Sequence, residues 1–129
     1  GRAPGSCTVY AYVHVGVCDP EQARVPARKD LFSYAVVPAY AKAFARAGFA
    51  DEVAAVTAAH AAGDRDAALA AISDRMIDAI DICGDAAHVS DAVEQYRRAG
   101  VDVPVLMPLP WGSDRRAVLY ATIEAGAPS

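Results

Sequence analysis

Alternation is sharpest near the start of the chain. From Val9 to Val17 every odd position is Val or Ala, while Tyr10, Tyr12, His14, Gly16 and Cys18 fill the even ones. Successive side chains of a strand point to opposite faces. The pattern therefore predicts a strand over about Thr8 to Cys18, with one aliphatic face and one carrying phenols, an imidazole and a thiol. Asp19-Pro20-Glu21-Gln22 follows at once. An N-cap acid, a proline at the first helical position and a Gln suited to a capping box predict a helix. Pro26 is expected to kink it or delay its start.

Beyond that point the spacing is helical. Leu31, Phe32, Ala35 and Val36 continue the pattern to Pro38, and a shorter helix is predicted over Ala39 to Ala47, ending at Gly48. Asp51 is placed as the cap of a helix over Glu52 to about Ala62, and Asp64 as the cap of another. Leu69, Ile72, Met76 and Ile80 recur at helical intervals, and Ser73-Asp74 marks a restart after a bend. A short strand is expected over Ala79 to Cys83. Asp85 caps a helix buried through Val89, Ala92, Val93 and Tyr96 and stopped at Gly100. Val101, Val103, Val105, Met107 and Leu109 then alternate as a strand whose prolines remove ladder donors. A last helix, about Asp114 to Ala125, presents Val118, Leu119 and Ile123. Strands separated by helices imply a parallel sheet with helical crossovers, hence an α/β fold. Repeats, low-complexity tracts and interior linkers are absent, and residues 1–129 read as a single domain.

Composition narrows the classes of function. The chain is 54% hydrophobic and 22% charged, as expected of a folded globule. A net charge of -4 gives no general reason to bind nucleic acid. The basic stretches Arg24 to Lys29 and Arg97-Arg98 read as solvated helix faces. Cys7, Cys18 and Cys83 lack C-x-x-C spacing, so neither a structural zinc site nor a redox motif is expected, and a reducing, cytoplasmic location is the simplest account. No apolar run reaches the roughly 18 residues of a membrane span. The opening GRAPGS has no signal-peptide character and no initiator Met, so the chain is expected to start inside a longer gene product.

Candidate chemistry is sparse. In parallel α/β folds ligands bind outside the carboxyl ends of the strands, which here selects Cys18-Asp19, Cys83-Gly84 and the stretch from Met107 to Trp111. Trp111, the sole Trp, can pack on a flat ring or cover a loop. His14 reads as a hydrogen-bonded core histidine, because no acid or nucleophile lies near it in sequence, with proton transfer near neutral pH as the alternative. His60 and His88 fall on helices away from strand ends. Cys18 and Cys83 read as small fillers, and the pairs Asp78/Asp81 and Asp51/Glu52 as helix starts and solvated faces. The helix start after Gly84 is a weak phosphate site, since Asp85 opposes a second anion.

Two segments carry a family likeness. The Val-rich strand running into D-P-E-Q-A-R, and DAIDICGDAAHVSDAVEQYRRAGVDVPVLMPLP from Asp78 to Pro110, resemble the C-terminal end of luciferase-like monooxygenases. AYAKAFARAGFADEV and AAGDRDAALAAISDRMIDA resemble helices of the deazaflavin-dependent members. The resemblance implies a (β/α)8 TIM barrel, of which this chain forms the C-terminal part, helix-rich with about three parallel strands. It also implies oxidoreduction with coenzyme F420, or FMN as the alternative, on a small-molecule substrate. A complete barrel needs about 250 residues, and the family's main catalytic and cofactor-binding residues match no positions here. The segment alone is therefore expected to be inactive and to bind no cofactor or metal. Cys18, Cys83, Met107 and Trp111 are its expected contribution to the substrate-side wall. Exposed strand edges of a partial barrel predict a homo-oligomer. The alternative is a free-standing small α/β binding or interaction module without catalysis.

Overall fold

A computed structural model describes residues 1–128, in two compact units: residues 1–22 with 81–128, and Ala23–Ile80. The first unit holds the sheet. Strands β1 (Tyr10–Val17), β2 (Ile82–Gly84) and β3 (Val103–Pro108) are all parallel, in the order β2-β1-β3. A mixed α/β fold with three parallel strands is thus as the sequence predicts. Consecutive barrel staves lie side by side in chain order, whereas here β1 is central. It is the longest strand and carries two fully buried valines, Val13 and Val15, with β3 paired along Tyr10–Val15 and β2 along Val15–Val17.

The aliphatic face of β1 forms the core of this unit. Val13 and Val15 pack with Val89, Ala92 and Val93 of the helix Ala86–Arg98, and with partly buried Val17, Leu106 and Ala125. The last helix, Arg115–Gly126, lies against β1 and β3. Its buried positions are Thr122 and Gly126, while Leu119 and Ile123 are exposed, contrary to expectation. The cause is local: Thr122 Oγ1 accepts the Val17 N–H at 2.9 Å and turns that face of the helix toward the strand end. β3 pairs with β1 alone among the described residues, which accommodates Pro104 and Pro108 on an outer strand.

The second unit is helical. Pro26 lies inside a continuous helix, Pro20–Ala35, instead of breaking it. A proline removes one donor, and the stripe of Ala23, Ala27, Leu31, Phe32 and Ala35 buries enough surface to offset that loss. The next helix, Pro38–Phe44, passes through a π-type turn at Ala45–Phe49, where Gly48 adopts φ +102. Asp51 does not cap the following helix, which starts at Ala50; the residue before it, Phe49, has no side-chain acceptor. Asp64 and Ser73 do cap Arg65–Ala70 and Asp74–Ile80, accepting from Ala67 N–H at 2.9 Å and Met76 N–H at 3.1 Å. This last helix takes Ala79 and Ile80 from the predicted second strand, which begins only at Ile82.

The charges taken for a solvated face are paired. Arg24 donates to Asp78 at 2.5 Å, and Arg28 binds Asp74. Glu52, 11% exposed at its side chain, accepts from Ser73 Oγ and Arg75, each at 2.7 Å. Alternate residues on one helix face meet acids on another, which local sequence reading cannot see. Phe32 meets the His60 ring edge-on at 5.6 Å and carries the Arg65 guanidinium at 5.0 Å.

Candidate functional site

The second face of β1 carries the chemistry. Register places Tyr10 beside Val103, Tyr12 beside Val105, His14 beside Met107, and Gly16 beside Cys83 on the other side. Residues paired in register share a face, so this side combines phenols, an imidazole, a thioether and a thiol. Tyr10 and Tyr12 are 65% and 71% exposed, and Met107 43%.

His14 has an acid partner that spacing conceals. Asp81, immediately before β2, is 1% exposed, and its Oδ1 lies 3.2 Å from His14 Nδ1. Its reading as a solvated acid is therefore corrected. The two residues are 67 positions apart and become neighbours only because β2 runs parallel to β1. The contact at Nδ1 fixes the imidazole's orientation. Asp81 Oδ2 is buried without a hydrogen-bond partner among the described residues.

Cys18 and Cys83 are neighbours too. Cys18 follows the end of β1, where its N–H donates to Gly84 O at 3.1 Å and its thiol folds back toward Gly16 O at 3.7 Å. A Cβ on Gly16 would lie 2.7 Å from Leu109 O and 3.3 Å from Cys18 Sγ, so the bare backbone at Gly16 makes room for the thiol. The hydrogen-bonding Cys83 thiol holds Cys18 below its ordinary thiol value, against the opposing effects of burial and Asp19. Both cysteines are half-buried, not enclosed fillers.

Two cavities open at this end of the sheet. One of about 390 Å³ is lined by Val17, Cys18, Asp19, Pro20, Gly84 and Asp85. Another of about 270 Å³ lies between Cys18, Gln22, Trp111 and Val118. The structure thus sets Cys18 against Cys83 on one side and in one cavity with Trp111 on the other, whereas Met107 lies on the open sheet face beside His14. His88, expected away from strand ends, packs over Gly84 at the end of β2.

Each helix start at this end is satisfied internally. Asp19 accepts from Glu21 N–H at 2.9 Å, Asp85 from His88 N–H at 2.8 Å, and Asp114 from Ala117 N–H at 3.0 Å. Helix N-termini receive phosphate when their N–H groups are available and no anion occupies them. Three capping carboxylates make these loops a poor fit for a phosphate-bearing cofactor.

No helix among the described residues is long and apolar enough to cross a membrane. Comparison with known proteins gives one family: the model of the luciferase-like monooxygenases matches residues 1–103, from the N-terminus through the first residue of β3. No curated protein and no solved structure matches. The match takes in β1, β2 and all the helices of the second unit. The chain belongs to the luciferase-like monooxygenase family.

Proposed function

We propose that this chain supplies the substrate-side wall of an oxidoreductase that transfers hydride to or from a small organic molecule. The cofactor is F420 in this reading, with FMN as the alternative. The observation that carries it is the cavity shared by Cys18 and Trp111 at the C-terminal end of β1, next to the strand end that carries Cys83, where α/β proteins place their chemistry. Trp111 and Val118 give the smaller cavity apolar surface suited to a small substrate. The ring of the cofactor supplies the redox chemistry when bound.

The chain's own residues do not fit the phosphate end of either cofactor, because Asp19, Asp85 and Asp114 occupy the helix starts. That end is held by residues other than these, and the segment alone is inactive. His14, oriented by Asp81, lies on the face of the sheet beside Met107. It is a positioning and proton-holding group.

Two measurements test the reading. Fluorescence titration of the chain alone with F420 and with FMN is expected to show no stoichiometric binding; tight binding of either sinks the division of labour. In the protein encoded by the complete reading frame, Trp111→Ala is expected to raise the KM for substrate and leave cofactor affinity unchanged. A variant that weakens the cofactor and spares KM overturns the wall assignment. Self-association belongs to the same reading, because β2 and β3 are outer strands beside an exposed Tyr10/Tyr12 face. Sedimentation over a concentration series is expected to show oligomers, and a monomer throughout counts against it.

A further inference from the structure

We infer that Cys18 and Cys83 form a peroxide-reactive thiol pair that closes to an intramolecular disulfide. Cys83 is the parallel partner of Gly16, so its side chain leaves the same face of the sheet. Cys18 Sγ sits 3.3 Å from where a Gly16 Cβ would be, and so takes the place of the side chain Gly16 lacks. Neighbouring parallel strands hold Gly16 and Cys83 roughly 5 Å apart, so a Cys18 sulfur lying at the Gly16 side-chain position is within reach of the Cys83 side chain. The contact between the two thiols, which favours the Cys18 thiolate, agrees with that placement. Reactive cysteines are thiolate-forming and accessible. Cys18 meets both conditions, since the 390 Å³ cavity opens onto it.

The reaction consumes one hydrogen peroxide. The Cys18 thiolate attacks one peroxide oxygen; an S–O bond forms, the O–O bond breaks, and the departing hydroxide takes a proton to become water. The Cys83 sulfur then attacks the sulfenic sulfur of Cys18. The S–S bond forms as the S–O bond breaks, and hydroxide leaves with the Cys83 proton as a second water. Both sulfurs are oxidised and both peroxide oxygens reduced.

The pair stands independently of the cofactor reading, and its test uses neither cofactor nor substrate. The chain is treated with hydrogen peroxide, its remaining thiols are alkylated, and intact mass and peptide maps are recorded without reductant. The expected result is loss of two of the three alkylatable thiols, a Cys18–Cys83 linked peptide, and full recovery with dithiothreitol. Cys7→Ser is expected to keep the link. Cys83→Ser is expected to abolish it and leave a Cys18 sulfenic acid that dimedone captures. Circular dichroism confirms that each variant is folded. A link through Cys7, a disulfide between two chains, or retention of all three thiols overturns the inference.

Discussion

The sheet unit and the helical unit use their polar residues in opposite ways. In Ala23–Ile80 the charges are spent on one another: Arg24 with Asp78, Arg28 with Asp74, Glu52 with Ser73 and Arg75. Its core is sealed, with Val56, Ile72 and Met76 all 0% exposed, although Val25, Val37 and Tyr40 stay at the surface. In the sheet unit one face of β1 is equally sealed, but the other keeps two tyrosines, His14 and Met107 at an open surface, and two thiols lie at its C-terminal end. Polar groups consumed by neighbours hold a fold together. Those left within reach of a ligand can carry function, and here they all lie on one face and one end of one sheet.

The sharpest way to break this contrast is to remove bulk from each unit. Ile72→Ala is expected to destabilise by about 2–5 kcal/mol, the cost of emptying a packed site. Tyr12→Ser, on the open face, is expected to shift stability by no more than about 0.5 kcal/mol. Urea midpoints of both variants decide it. Comparable losses would mean that the Tyr12 face is packed in solution and the contrast is false.

Within the sheet unit, Asp81 and Thr122 are the buried polar residues that behave like those of the helical unit. Asp81→Ala removes the acceptor facing His14 and is expected to cost about 1.5–3 kcal/mol, the range for hydrogen bonds to charged groups. Asp81→Asn is expected to cost less, because its amide oxygen still accepts from Nδ1. An Asn variant as damaged as the Ala variant would show that charge, not geometry, dominates. Thr122→Val keeps the shape but strands the Val17 N–H, at an expected cost of about 1–2 kcal/mol. Hydrogen exchange at the Val17 amide reads this directly, and unchanged protection there would refute the role of the hydroxyl.

The two units also differ in how much of them the sequence discloses. Alternation through Val13 and Val15 announces both β1 and its buried face, and Asp64, Ser73 and Asp85 announce helix starts, because each is a signal within a few residues. Asp51 misleads: an acid before a helical run resembles a cap whether or not its side chain turns back. Pro26 misleads because burial of Leu31 and Phe32 outweighs one missing hydrogen bond. The candidate site suffers most, since its pairs are long-range. His14 needs Asp81, and Cys18 needs Cys83, 65 positions away. Neither pairing carries a local mark. The usable signal is register: Gly16, two residues after His14, and Cys83, just before Gly84, become neighbours once parallel pairing is aligned. Cys18, Cys83, Met107 and Trp111 could be nominated from strand ends alone, but not their grouping.

The smallest expected effect tests whether the ion pairs of the helical unit matter beyond geometry. Glu52 is held below the ordinary carboxylate range, chiefly by the hydrogen bond from Ser73 and by a backbone amide, with Arg75 adding to them while burial opposes. A folded value below the unfolded one means that the folded state favours the ionised form. The stabilisation is therefore fully present above the unfolded value, near about 4.3, and is lost as pH falls through the lowered folded value. Glu52→Gln keeps an acceptor for Ser73 but cannot titrate. Its urea midpoint is expected to fall slightly below that of the parent at neutral pH and to converge with it in acid. Added salt should alter the difference little, because Arg75 is 61% exposed and contributes less than Ser73. A difference that persists unchanged into acid would assign the role of Glu52 to packing. It would also remove titration from the account of how this unit consumes its charges.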